Sequence, residues 1–207
     1  TAGQIAVLVN LDPASLVAGL NFHVDQQLVD PLTAFAEVVH SHSLDGGILE
    51  AAMKDEALGY VGEITKIRTQ PITDLLEKNY IPVVSTIASD RQGNTFNING
   101  DTAAASIAGA LGAERLIMMT DIAGILKDKD DPSTLIPEMT VSDAAKLQEE
   151  GIISGGMIPK VRCCIDALND GVKATVIIDG RVPHATLMEI LTDEGAGTMV
   201  VKDKFAL

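Results

Sequence analysis

The chain has 207 residues, 46% of them hydrophobic and 21% charged, and its 15 Lys and Arg against 29 Asp and Glu give a formal net charge of −14. This composition is typical of a globular protein of one domain or slightly more, and it excludes a wholly disordered chain. The negative charge argues against a general nucleic-acid-binding protein, because phosphate backbones require a basic surface.

The apolar runs and the cysteines indicate the cellular compartment in which we expect the protein. The longest apolar runs fall short of the ~18 to 20 residues that cross a bilayer. The start of the chain lacks the basic stretch and apolar core of a signal peptide. Cys163 and Cys164 are neighbours rather than a spaced disulfide framework. We therefore expect a cytoplasmic protein that binds neither membranes nor nucleic acids.

In the first half of the chain, short β-branched runs alternate with amphipathic stretches. Strands are predicted at residues 5–9, 37–40, 59–67, 81–88 and 95–99. The apolar run at 81–88 is of the kind that is covered on both faces of a sheet. Helices are predicted to start at Asp12-Pro13, to cover 25–36 and to run from Thr69 to near Asn79. Loops are predicted at 41–47 and 90–94.

The second half of the chain alternates more regularly. Helices are predicted at 101–111, 141–150, 157–169 and 183–191, and strands at 116–120, 174–178 and 198–201, with a charged loop at 128–132. The alternation of strands and helices from residue 80 onward predicts an open, mainly parallel sheet with helices on both faces. Ligands of such sheets bind beyond the carboxyl ends of the strands, so we look for chemistry in the loops there.

The first candidate site is the segment 97–101, Asn-Ile-Asn-Gly-Asp. Because strand side chains alternate with a period of two, Asn97 and Asn99 point the same way, and Asp101 follows at the end of the strand. Two carboxamides and a carboxylate can hold a polar ligand or position a lysine. Alternatively, Asp101 caps the alanine-rich helix and the asparagines satisfy a turn. The spacing fits both interpretations.

The second candidate site is the segment 154–160, Ser-Gly-Gly-Met-Ile-Pro-Lys. Two glycines before a helix allow a close approach of the backbone, and free N–H groups there favour anions. Lys160 lies in the first turns of that helix, within reach of a phosphate at the glycines. The alternative is a flexible link followed by a solvated lysine.

The third candidate site is the end of a buried strand, where Thr120 and Asp121 are followed by Gly124. This position suits a nucleotide base or ribose, although many strands of α/β proteins end in Thr or Asp. The adjacent cysteines fall inside a predicted helix and are interpreted as core thiols. The four histidines show no spacing typical of a metal site, and none is expected.

These segments occur together in one order: NINGDTAA at 97–104, LIMMTDIAGIL at 116–126, SGGMIPKV at 154–161, IDGR at 178–181 and TDEGAGT at 192–198. In this combination the chain resembles the N-acetylglutamate kinase family, part of the amino acid kinase superfamily. The resemblance is strong over residues 45–201 and faint over 24–43. It implies a three-layer αβα sandwich around a mainly parallel open sheet.

The resemblance also implies an activity, which is phosphoryl transfer from ATP with Mg²⁺ to the side-chain carboxylate of N-acetyl-L-glutamate, a step of arginine biosynthesis. Lys160 would stabilise the transferring phosphoryl group, and Asp101 would orient the catalytic lysine. Asn97 and Asn99 would contact the substrate. The nucleotide-binding residues implied are Thr120, Asp121, Gly124, Leu126, Gly156 and Met157.

The amino-terminal lobe of the family carries a lysine-bearing phosphate loop, a further glycine loop and a segment that holds the substrate carboxylate, and none of these motifs occurs in this chain. We therefore expect residues 1–44 to be a divergent or truncated segment and 45–207 to be a nucleotide-binding kinase lobe. Members of the family form homo-oligomers, and we expect the same of the complete protein.

Two other functions fit the same residues. One is a non-catalytic lobe that senses a nucleotide or L-arginine, because arginine-responsive members bind this effector near the carboxyl-terminal segment. The candidate effector contacts are His184, Glu194, Gly195 and Gly197. The other is a different member of the superfamily, such as a carbamate kinase or a glutamate 5-kinase.

Overall fold

The structure is a computed structural model that describes residues 5–9, 37–41, 47–78 and 80–203. These residues fall into two compact units. The large unit comprises residues 5–9 and 100–203, and the small unit comprises 37–41, 47–78 and 80–99. The helices predicted at Asp12-Pro13 and over 25–36, and most of the predicted loop at 41–47, lie outside the described residues. So does most of the predicted segment 1–44.

The elements are labelled in chain order. The strands are β1 Ile5–Val9, β2 Glu37–Ser41, β3 Leu49–Met53, β4 Gly62–Ile67, β5 Tyr80–Val84, β6 Ile87–Ser89, β7 Thr95–Asn97, β8 Arg115–Thr120, β9 Glu138–Thr140, β10 Ala174–Asp179 and β11 Gly197–Val201. The helices are α1 Gln70–Glu77, α2 Gly100–Leu111, α3 Val141–Glu149, α4 Met157–Asn169 and α5 Ala185–Leu191. Short 3₁₀ turns occur at Glu56–Leu58 and Pro132–Thr134.

The small unit contains a four-stranded sheet in the order β4-β3-β6-β7 and a parallel pair, β2 with β5. The predicted antiparallel arm over 59–67 is confirmed, since β4 pairs antiparallel with β3. The prediction of one doubly covered strand over 81–88 is wrong. That stretch forms β5 and β6 in different sheets, and Ile81 is 41% exposed. The polar pair Ser85-Thr86 interrupts the run, and the Thr86 carbonyl accepts a hydrogen bond from the Ile98 amide.

The large unit is built on a five-stranded sheet in the order β1-β8-β10-β11-β9. Neighbouring strands are parallel except β10 and β11, which are antiparallel. The predicted open, mainly parallel sheet is therefore confirmed. The sequence pattern did not predict β9, which has only three residues.

Helices cover both faces of this sheet, which gives the three predicted layers. The buried side chains that face α2 and α4 are Leu116, Met118, Ile177 and Val200. Those that face α5 are Ile117, Val176 and Ile178, which pack with Ala185. Burying each large apolar side chain contributes about 1.5–3 kcal/mol to the free energy of folding. Packing against these strand side chains is therefore the main interaction that holds both helical layers.

Two helices start at the same edge of the sheet. Helix α2 ends three residues before β8, and α4 ends four residues before β10. Each helix therefore runs back along its strand, and the starts of α2 and α4 lie near the carboxyl ends of β8 and β10. This edge is where ligands of open α/β sheets bind.

Within the part of the chain that the structure describes, none of the helices combines the length and apolar character needed to span a bilayer.

Candidate functional site

A lysine and an aspartate from separate candidate segments meet at the starts of α2 and α4. The Nζ atom of Lys160 donates to Oδ2 of Asp101 at 3.0 Å. The two side chains are only 17% and 10% exposed. Since charges interact more strongly away from bulk water, this arrangement holds an ammonium group where two helix N-termini also favour negative charge. It can stabilise a phosphate or a similar anion.

The glycine loop before α4 is open to solvent. Gly155 has a φ of +53°, and a Cβ atom on it or on Gly156 would meet no atom within 4 Å. The amides of Met157 and Ile158, however, already donate to the carbonyls of Ser154 and Gly155 at 3.1 and 3.3 Å. The loop thus leaves room for a ligand, but its attraction for an anion depends more on Lys160 than on the free amides that the sequence suggested.

The ends of β8 and β10 lie side by side at the same edge. Thr120 is in register with Asp179, and the Gly180 amide donates to the Thr120 carbonyl at 2.8 Å. The Thr120 hydroxyl donates to Oδ1 of Asp121 at 3.2 Å. Thr120 and Asp121 therefore occupy the carboxyl edge, as their sequence position predicted.

An ion pair that was not predicted from the sequence lies at the end of β10. Asp179 accepts hydrogen bonds from the backbone amide, Nε and Nη2 of Arg181 at 2.9, 2.9 and 2.8 Å. These contacts lower the pKa of Asp179 below its ordinary value and raise the pKa of Arg181. The sequence feature that could have indicated this ion pair is Asp-Gly-Arg at the end of a buried strand. The pair places an arginine side chain that is 68% exposed at the carboxyl edge.

Gly124 and Leu126 belong to an excursion over residues 121–137 between β8 and β9. Strand β9 is parallel to β11, and both run opposite to β8 and β10. The segment 121–137 therefore begins where β8 ends and returns to the sheet at the same edge, where β9 begins. Gly124 has a φ of +139°, and a Cβ atom on it would lie 2.6 Å from the Thr198 hydroxyl oxygen. The glycine is thus required by packing, independently of any ligand.

Asn97 and Asn99 belong to the small unit. The regular strand pairing of β7 ends at Asn97, whose backbone amide donates to the Tyr60 carbonyl at 2.8 Å. Burial nevertheless alternates beyond the strand: Phe96 and Ile98 are buried, and both asparagines are exposed. The two asparagines are thus the exposed members of this alternation, as the period of two predicts.

The effector candidates lie at the two ends of α5. His184 precedes the helix with a left-handed φ of 62°, and α5 begins at Ala185 rather than at Pro183 as predicted. A Cβ atom on Gly195 would lie 2.9 Å from Oε2 of Glu189. Gly197 begins β11, where a Cβ atom would collide with the Ile177 carbonyl. Both glycines therefore have packing roles, whereas His184 and Glu194 are exposed.

A buried carboxylate that the sequence did not single out holds this region together. Glu189 is 4% exposed. Its Oε2 accepts from the Ala196 amide at 2.9 Å, and its Oε1 pairs with Nη1 of Arg115 at 3.3 Å. Glu189 thereby ties α5 to the start of β8 and to the loop that precedes β11.

The two cysteines are free thiols. Burial raises the pKa of Cys164 to about 12 and also raises that of Cys163. Cys164 is fully buried, and Cys163 lies 3.9 Å from the Thr102 hydroxyl. Both remain protonated near neutral pH. The interpretation as a core thiol is confirmed for Cys164, whereas Cys163 is only partly buried and packs against the same core cluster.

Sequence comparison identifies a family. The profile of the amino acid kinase family matches residues 24–179. An acetylglutamate kinase of Thermosynechococcus vestitus is 55% identical over 158 residues, which cover 76% of this chain and 54% of that protein. An acetylglutamate kinase of Nostoc is 49% identical over 163 residues, 78% of this chain and 55% of that protein. The chain therefore spans about half the length of the curated relatives it matches.

A solved structure supports the same fold. The N-acetylglutamate synthase of Neisseria gonorrhoeae, complexed with coenzyme A and N-acetyl-glutamate, superposes with a TM-score of 0.70 at 25% identity. The match covers 94% of this chain and 45% of that one.

Proposed function

The chain belongs to the amino acid kinase family, and we propose that it transfers the terminal phosphoryl group of ATP to the side-chain carboxylate of N-acetyl-L-glutamate. The observation that carries this proposal is the sheltered contact between Lys160 and Asp101 at the starts of two neighbouring helices. The choice of N-acetyl-L-glutamate as the substrate rests on the acetylglutamate kinases that are 55% and 49% identical to this chain.

The geometry suits phosphoryl transfer to a carboxylate. An oxygen of the acceptor attacks the terminal phosphorus, the bond from that phosphorus to the bridging oxygen breaks, and ADP leaves. A carboxylate is already ionised at neutral pH, so no base has to remove a proton. The remaining requirement is to position the reactants and to stabilise the charge on the phosphoryl oxygens. Lys160 supplies that charge, and Asp101 keeps the ammonium group in place.

The nucleotide is assigned to the carboxyl edge of the large unit. Thr120, Asp121, Gly124 and Leu126 would line the adenine and ribose, with Gly156 and Met157 near the phosphates. The open space at Gly156 supports this assignment. Among the described residues, no group of three or more His, Cys, Asp or Glu is placed to hold a metal ion. Mg²⁺ would enter with the ATP phosphates, which together with one or two carboxylates are its usual ligands in kinases.

The acceptor is assigned to Asn97 and Asn99 of the small unit. Their exposed carboxamides offer both donors and acceptors for the acetamido and carboxylate groups of N-acetyl-L-glutamate. We further propose that the complete protein is a cytoplasmic homo-oligomer. Residues 1–44 would form its divergent or truncated segment and residues 45–207 its nucleotide-binding lobe.

The proposal is tested by measuring ADP release that depends on N-acetyl-L-glutamate. We expect Lys160→Ala to lower this rate by about 100-fold or more, as loss of one transition-state contact does. Lys173→Ala is the matched control, because Lys173 also pairs with a carboxylate but is 72% exposed. Full activity in Lys160→Ala would remove the role assigned to this lysine. Carbamate and L-glutamate, offered as acceptors in the same assay, distinguish other members of the superfamily.

A second candidate, an arginine-sensing lobe, is favoured by the loop before β11. Buried Glu189 anchors this loop at Ala196, while Glu194 and His184 remain exposed for an effector. A ligand that binds only the folded state raises the melting temperature. Arginine binding therefore predicts a rise with millimolar L-arginine in the absence of nucleotide. A melting temperature that does not change across this range would exclude this candidate.

A further inference from the structure

We propose that Thr198 is a positioning residue for the nucleotide, because its hydroxyl group is hydrogen-bonded to both ends of a segment that directly follows Gly124 and contains Leu126. Thr198 lies at the start of β11 and is fully buried. Its Oγ1 accepts a hydrogen bond from the Ile125 amide at 2.8 Å and donates one to the Ile136 carbonyl at 2.7 Å. The inference rests on the proposed function, since the nucleotide is assigned to this segment there.

The two residues that Thr198 holds are the two ends of one hairpin-like segment, here called the 125–136 segment. The Ile136 amide donates to the Ile125 carbonyl at 2.8 Å, and the Lys127 amide donates to the Thr134 carbonyl at 3.1 Å. Leu126 and Leu135 form an isolated antiparallel bridge. Thr198 therefore attaches the base of this segment to the sheet at the carboxyl edge.

The neighbouring glycine adds to the constraint. A Cβ atom on Gly124 would lie 2.6 Å from Oγ1 of Thr198 and 2.8 Å from Cδ1 of Leu135. The backbone of Gly124 thus rests directly on the threonine side chain. A shift of this side chain would move Gly124 and Ile125 together, and with them the assigned adenine and ribose contacts.

A hydroxyl group is the chemical requirement at this position. It accepts one hydrogen bond and donates another at the same time, which neither an aliphatic side chain nor an ammonium group can do. Thr198→Val keeps the shape but leaves a buried N–H group and a buried carbonyl without their partner. Thr198→Ser and Thr198→Cys remove the same methyl group and differ in whether a strong hydrogen-bonding group remains.

The same strand pair provides a matched control. Thr175 on β10 is also fully buried and is in register with Val200, two residues from Thr198. Its hydroxyl group lies beside the Cys164 thiol, and within the described residues no loop backbone is hydrogen-bonded to it. Thr175→Val therefore makes the identical chemical change in the same sheet without releasing any described loop.

The experiment measures ATP binding by titration calorimetry for the full chain and these variants, at a temperature at which each is folded. Hydrogen exchange of the 125–136 segment is followed in parallel. We expect Thr198→Val to raise the Kd for ATP about tenfold, because small displacements of binding groups carry penalties of this order or larger. Exchange at Ile125 should accelerate. Thr198→Ser and Thr175→Val should stay close to the wild-type values. If Thr198→Val does not fold, the comparison of Thr198→Cys with Thr198→Ser carries the same test.

The outcomes separate this inference from the proposed function. A wild-type chain that binds ATP, with variants lacking the Thr198 hydroxyl that bind it equally well, overturns the role of Thr198 alone. A wild-type chain that folds and binds no ATP overturns the proposed function and this inference with it. Equal weakening by Thr198→Ser and Thr198→Cys would also contradict the inference, because the missing methyl group would then be the cause.

Discussion

At the scale of single residues, burial distinguishes two lysine–carboxylate pairs of similar length. Lys160 and Asp101 are joined at 3.0 Å with side chains 17% and 10% exposed, and Lys173 and Glu114 at 2.7 Å with 72% and 51% exposed. An exposed pair contributes only ~0–1 kcal/mol, whereas a sheltered charge that loses its partner is costly. A sheltered lysine near an expected phosphate is therefore more informative about function than an exposed one.

The ion pair of Asp179 and Arg181 leads to a prediction about pH. Hydrogen bonds from Arg181 hold the pKa of Asp179 below its ordinary value. The resulting stabilisation is complete above the unfolded pKa of about 3.9 and disappears as the pH falls through the lower folded pKa. We expect Arg181→Gln to lower the melting temperature slightly at pH 7, because the arginine side chain is 68% exposed.

Thermal melts of both proteins between neutral and strongly acidic pH test this prediction. The difference in melting temperature should shrink below about pH 4 as Asp179 becomes protonated in both proteins. A difference that stays constant at low pH would show that Arg181 stabilises the fold by packing rather than by its charge.

Single residue types and short spacings predicted part of the site. The positions of Asp101 and Lys160 near helix starts followed from the sequence, but a contact between residues 59 apart in the chain does not follow from local spacing. Buried Glu189 was not singled out because a glutamate on a short helix is ordinarily exposed. Its burial depends on Arg115, which is 74 residues away in the sequence.

At the scale of elements, the sequence predicted regular segments better than interruptions. Helix α2 ends at Leu111, directly before Gly112, and α4 covers the predicted range, because amphipathic spacing and glycine stops are local signals. The interruption at Ser85-Thr86 was missed because the flanking residues are apolar. The later start of α5 follows from the left-handed backbone of His184, which is uncommon for a residue other than glycine.

Two glycines at element ends predict opposite effects of an added methyl group. A Cβ atom on Gly156 meets nothing within 4 Å, whereas one on Gly197 collides with the Ile177 carbonyl between β10 and β11. We expect Gly156→Ala to keep the wild-type melting temperature and to weaken ATP binding, because the space there is assigned to the ligand. Gly197→Ala should instead lower the melting temperature strongly, by displacing the start of β11.

Thermal melts and ATP titrations of the two variants decide this comparison. Unchanged ATP affinity in Gly156→Ala would show that the nucleotide does not approach this glycine. A stable Gly197→Ala would show that the two strands can separate without loss of the sheet.

At the scale of the whole molecule, the fold class was predictable and the strand order was not. Alternating strands and helices indicate a mainly parallel sheet, because parallel strands need a crossover between them. The sequence did not show that β11 would turn antiparallel beside β10 and bring Thr198 to the carboxyl edge. Through this placement, β11 holds the 125–136 segment, which follows β8 in the chain.

The central claim is transfer to a carboxyl group, and trapping of the acyl phosphate tests it most directly. The 207-residue chain is incubated with ATP, Mg²⁺, N-acetyl-L-glutamate and hydroxylamine, and hydroxamate and ADP are measured together. We predict that hydroxamate forms in the same amount as ADP in the wild-type chain and in Lys173→Ala, and that Lys160→Ala forms both at least about 100-fold more slowly. ADP without hydroxamate, or no product from a folded chain that binds ATP, would contradict the claim.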